Sequence, residues 1–166
     1  MYGLIATALA FAGISTAAPT LQTRQVGSEF RLRATGTLAG WALINAHSDA
    51  GRNVIQIQRP SVYQSDPSYF NGTYLFFDLE GAPVPYSVQM PEVPAGYVAQ
   101  VTSQPGDHTP GFGLNAEQLL TWNSNAEGFW ACPVNDVFEL FYGPNAVPAN
   151  LPSTKCLEIQ LQAGGL

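Results

Sequence analysis

Charge is scarce in this chain, and positive charge scarcer still. Its 166 residues hold six Lys and Arg against twelve Asp and Glu, 11% charged in all, for a formal net charge of −6. So cation-poor a chain repels phosphate backbones, which argues against nucleic acid as a partner. Histidine and cysteine number two each. His47 and His108 stand far from Cys132 and Cys156, and two cysteines 24 positions apart match no zinc spacing. Neither a metal nor a cofactor is expected. His47, in the polar loop His47-Ser48-Asp49, has no G-x-S-x-G serine to serve, and His108 follows the Pro105-Gly106 turn. Beyond the first residues, no apolar run approaches the ~20 residues that span a bilayer, so stable membrane insertion is not expected. The C-terminal Leu157–Leu166 alternates polar with apolar residues, unlike the greasy tail of a lipid-anchor signal.

The first seventeen residues carry no charge and a single apolar run, Leu4 to Ile14, followed by the small residues Ser15-Thr16-Ala17. This reads as a secretion signal over 1–17, too short to span a membrane. Residues 18–26 read as a flexible arm and 27–166 as one domain, large enough for its own core. In an oxidising compartment the even pair Cys132 and Cys156 is expected to form a disulfide. Its loop of 25 residues would contribute about 3.5 kcal/mol on the chain-entropy model. A catalytic thiol is the weaker alternative.

Proline and glycine punctuate the chain, with apolar stretches of a few residues between them, the texture of an all-β domain. Period-two alternation marks Phe30/Leu32/Ala34, Leu75/Phe77/Leu79, Val84/Tyr86/Val88/Met90 and Leu157/Ile159/Leu161. Further strands are expected at 41–45, 54–58, 97–102, 129–132 and 137–142. Pro85 belongs at an edge or a bulge. Asn115 to Trp122 is the one stretch with helix signals, a capping Asn115 and a Gln118 three residues on. Strand–turn–strand units open near Phe30, Tyr74 and Phe112. The expected fold is a single antiparallel β-sandwich or closed barrel, a β-trefoil-like arrangement being one way to close it.

Asn71-Gly72-Thr73 is an N-glycosylation sequon. Asp78 and Glu80, two apart at a strand end, share one face, and paired carboxylates are the tool of glycoside hydrolases. A solvated strand end before a glycine turn explains them better, so no catalytic residue is assigned. Trp41, Trp122 and Trp130 could supply stacking platforms for sugars, but most of the aromatic residues are expected to fill the core. Tyr63, Tyr69 and Phe70 lie in the polar segment 61–71, where exposure is expected, and form the predicted binding patch. Residues 24–60 carry five arginines (Arg24, Arg31, Arg33, Arg52, Arg59) against Glu29 and Asp49, whereas 61–166 carry Lys155 alone against ten carboxylates. Ordinary solvent-facing arginines are the expected reading; a local basic patch is the alternative.

Several segments together resemble a family of small secreted proteins of filamentous ascomycete fungi, itself a domain of unknown function. They are Phe30-Arg-Leu-Arg33, His47 with Gly51 and Asn53, Phe70-Asn-Gly-Thr73 leading to Phe77-Asp78, Phe129-Trp-Ala-Cys-Pro133, Phe138-Glu-Leu-Phe-Tyr142 and the closing Cys156. From Gly113 to Leu157 the chain is also distantly similar to mould cell-wall proteins of the phialide-development type, some of them IgE-binding. The resemblance implies a secreted, disulfide-bonded β domain and no reaction. A non-catalytic structural or surface protein of a fungal wall or extracellular matrix is the expected function. A secreted glycan- or small-ligand-binding module, with an effector as one form of it, is the alternative, and cell-wall polysaccharide or extracellular glycan the expected partner.

Overall fold

Between the proline and glycine breaks, β-branched and aromatic residues alternate with polar ones, and short antiparallel strands result. The computed structural model describes residues 28–165; the leader expected over 1–17 and the arm over 18–26 lie outside them. Three units of similar plan follow one another. The first comprises β1 (Phe30–Ala34), β2 (Ala42–Asp49), β3 (Arg52–Gln58) and β4 (Pro67–Asn71). The second comprises β5 (Tyr74–Phe77), β6 (Tyr86–Gln89), β7 (Ala99–Gln100) continued by β8 (Thr102–Pro105), and β9 (Phe112–Leu114). The third comprises β10 (Leu120–Trp122), β11 (Phe129–Val134), β12 (Val137–Tyr142), and β13 (Leu157–Ile159) continued by β14 (Leu161–Gly164). The described residues form no α-helix, only the 3-10 turns Gly36–Leu38 and Pro148–Asn150.

Pairing closes a seven-strand antiparallel barrel through β1, β2, β3, β8, β6, β5 and β4 back to β1. The remaining strands extend it with a threefold logic. The last strand of each unit pairs with the first strand of the next: β4 with β5, β9 with β10, and β14 with β1. It also returns toward its own unit's opening strand. Ser68 pairs with Phe30, the Phe112 N–H donates to the Thr73 carbonyl at 2.9 Å, and Gln162 bridges to Leu119. The hairpins β2–β3, β6–β8 and β11–β12 meet through their second strands, β3 with β8 and β12 with both β3 and β7. This is the trefoil-like form of barrel closure. The third unit opens at Leu120, because Phe112 belongs to the closing strand of the second.

Leu32, Leu75 and Leu120 come from the three opening strands, and Ile55, Val101 and Leu140 from the second strands of the hairpins; none is more than 2% exposed. With Phe77, Phe129 and Leu161 they fill the barrel, leaving a void of about 10 Å³. That is the room of one water at most. A ligand must therefore bind on the outside.

Two expectations are corrected. Residues 115–122 are not helical: Asn115 Oδ1 accepts the N–H groups of Glu117 (3.1 Å) and Leu119 (2.8 Å), and Gln118 takes a φ of +62°. The side chain thus caps a turn rather than a helix. The polar segment 61–71 is only half loop, since its second half is the barrel strand β4. Cys132, fully buried on β11, is disulfide-bonded to Cys156, which precedes β13. The bond fastens the closing strand of the third unit to its hairpin.

Candidate functional site

The site is built where β2 and β4 part company along one edge of β1. β2 pairs with β1 at Arg33, while β4 pairs with it at Phe30 and Arg31. Between them the Leu32 carbonyl faces a gap in the ladder. Ser65 fills it: its Oγ, buried with the residue 1% exposed, donates to Leu32 O at 2.6 Å. A buried carbonyl without such a partner would cost about 1–3 kcal/mol. The Arg31 guanidinium in turn donates to the Ser65 carbonyl. Beside it, Asp66 accepts the Asn45 N–H at 2.6 Å and its own N–H donates to Leu43 O at 3.0 Å. Burial pushes the Asp66 carboxyl above its ordinary pKa, opposed by the Asn45 hydrogen bonds and by the Arg31 charge.

Ahead of Ser65 the chain turns outward. Arg59-Pro60-Ser61-Val62 closes with the Val62 N–H on Arg59 O (3.1 Å), Pro60 sitting at the second turn position where its fixed φ fits. Val62 and Tyr63 are thereby thrown into solvent, 67% and 47% exposed. Arg59 lies 5.5 Å over the Trp41 ring, which meets Phe138 edge-on. Between this loop and β1 opens a cleft of about 360 Å³, lined by Arg31, Arg33, Ala42, Pro60, Tyr63, Gln64, Ser65 and Gly165. Its volume falls within the ~300–1,000 Å³ of small-molecule sites.

Of the predicted binding residues, Tyr63 alone lines this cleft. Tyr69 is 3% exposed and stacks on Phe76 (centroids 5.4 Å apart), and Phe70 packs half-buried against Phe30. Sequence reasoning read their polar neighbours as a loop; β4 instead places both rings against other strands. Arg31 and Arg33 went unassigned, although their i, i+2 spacing on an alternating strand was a signal that they share a face. Asn71 sits exposed at the tip of the β4–β5 hairpin, where Gly72 adopts φ +60° at the first loop position. Asp78 is half-buried and Glu80 exposed, and neither lines the cleft. His47 is exposed on β2, and a ring nitrogen of His108 lies 2.9 Å from Pro105 O. The indole N–H groups of Trp122 and Trp130 donate to the Pro110 and Gly143 carbonyls, both at 3.1 Å, anchoring these rings to the scaffold.

No helix among the described residues is long and apolar enough to cross a membrane. Comparison with curated proteins and with solved structures returns no match. One family model does match, described as a domain of unknown function (DUF7907), over residues 20–164. The chain thus belongs to the DUF7907 family.

Proposed function

We propose that this protein is a secreted, non-catalytic surface or matrix module that holds an extracellular glycan in the cleft between β1 and the 59–66 loop. The observation that carries this reading is the half-exposed Tyr63 lining a cleft of mixed polar and apolar character on a barrel whose interior is full. Tyrosine combines a flat apolar face with a hydroxyl, which suits the apolar face and hydroxyl rim of a sugar ring. The buried Cys132–Cys156 disulfide fits an oxidising compartment. The exposed Asn71 hairpin tip is open to glycosylation. A role at a fungal wall is an analogy with the mould cell-wall proteins that the stretch from Gly113 to Leu157 distantly resembles, and it belongs to this proposal.

The non-catalytic reading is favoured by the placement of the carboxylates. Asp78 and Glu80 stand at the end of a hairpin, outside the cleft, where a glycosidase would need two carboxylates facing each other across it. Binding of the purified protein to a glycan array and to fungal wall fractions is the test. Retention that Tyr63→Ala lowers by about tenfold, with unchanged thermal stability, is the expected result. Retention unaffected by that substitution would remove the cleft from consideration.

A further inference from the structure

The cleft inverts the electrostatics of the molecule around it. Five cations lie in the described residues, and three of them, Arg31, Arg33 and Arg59, stand on β1 or in the turn beside the cleft. All twelve carboxylates of the chain lie in the same described span; Glu29, two residues before Arg31, and Asp66, bonded to Asn45, are the ones nearest this cluster in the sequence. Arg31 and Arg33 are two apart on one strand, so they leave the same face with backbones ~6.5–7 Å apart. Arg31 is half-buried and anchored to the Ser65 carbonyl, which fixes part of its fork in place. Arg33 is exposed and has no hydrogen-bond or ion-pair partner among the described residues.

Resting on the binding reading above, we infer that the ligand is an anionic saccharide, its carboxylate or sulfate-ester oxygens taken by Arg31 and Arg33 while a sugar ring lies against Tyr63. Guanidinium forks match both oxyanion types with paired, charge-assisted hydrogen bonds. Asp66 offsets part of the Arg31 charge, so Arg33 supplies most of the uncompensated attraction. Glu29, half-buried just before β1, is the nearest opposing charge in the sequence and confines the surplus of positive charge to Arg31, Arg33 and Arg59. A short anionic saccharide fits such a confined field, whereas an extended polyanion would run onto the acidic remainder of the surface.

The test is calorimetric titration with three probes: an oligogalacturonate, its carboxyl-reduced neutral counterpart, and a sulfated oligosaccharide. The carboxylate or the sulfated probe, or both, is expected to bind at least about tenfold more tightly than the neutral one, and Arg33→Gln to remove about tenfold of that affinity. Added salt should weaken the same interaction, since the groups are exposed. The relative strength of the two acidic arms identifies the oxyanion. Equal binding of the neutral probe, with Arg33→Gln silent and Tyr63→Ala still damaging, would overturn the anionic ligand and leave the cleft standing. Binding of no probe, or binding indifferent to Tyr63→Ala, would overturn both. Arg33 and Tyr63 are exposed, so an unchanged melting temperature separates loss of ligand from loss of fold.

Discussion

The two tyrosines of the 61–71 segment illustrate how burial sorts chemically identical side chains. Tyr63 is 47% exposed and Tyr69 3%. Tyr69→Ala empties a stacked position between strands and is expected to cost about 3 kcal/mol or more, read by denaturant unfolding. Tyr63→Ala should leave the unfolding midpoint within about 0.5 kcal/mol of the wild type. Glu139 makes a second residue-scale case. It is 8% exposed on β12, opposite Cys132, and its carboxylate accepts a hydrogen bond from the Gln100 amide. Burial raises its pKa above the ordinary 4.5, with the Gln100 bond opposing. A carboxyl with a raised folded pKa binds more protons folded than unfolded, so its stabilisation is complete below about 4.5 and is lost as pH rises through the folded value. Asp66 acts in the same direction, starting from its ordinary 3.8. Glu139→Gln is therefore expected to melt higher than the wild type at neutral pH, the two converging toward about pH 4. Equal melting temperatures across that range would refute the assignment.

At the scale of elements, the junction of β1, β2 and β4 positions the cleft and is the place to perturb it. Ser65→Ala strips the Leu32 carbonyl of its partner and should destabilise the domain by about 1–3 kcal/mol, while loosening the Arg31 anchor. The closing strand of the third unit offers a parallel test. Replacing both Cys132 and Cys156 by alanine is expected to lower stability by about 2–4 kcal/mol in chemical denaturation. Most of the strands were legible in the sequence because their inward residues alternate cleanly, as in Phe30/Leu32/Ala34, which are only 8%, 1% and 2% exposed. Others were not: β4 hides its rings among polar residues, β8 begins where the expected strand 97–102 ends, and β10 is three residues long, too short to show a period, while β9 was marked only as a unit opening near Phe112. The helix signal at Asn115 was local chemistry that a turn uses equally well. The site was half legible: an exposed aromatic in the 61–71 segment could be read, but its arginine neighbours come from a strand some thirty positions earlier. Only the chain crossing at Ser65 brings them together.

For the whole molecule, a filled trefoil-like barrel of net charge −6 carries an outward cleft with a local surplus of arginine. On the proposed reading the scaffold contributes rigidity and the loop 59–66 contributes recognition, the usual division between a packed frame and its connections. If the chain is secreted as proposed, it should be recovered from culture medium without residues 1–17 and with no free thiol, and should carry a glycan removable from Asn71. The central claim, that ligand enters between β1 and the 59–66 loop, is tested most directly by amide chemical-shift mapping on the labelled domain titrated with a short acidic oligosaccharide. The account predicts saturable shifts centred on Arg31, Arg33, Tyr63 and Gln64. Shifts gathered instead around the exposed Tyr97 and Val147, or none at ligand excess, would contradict it.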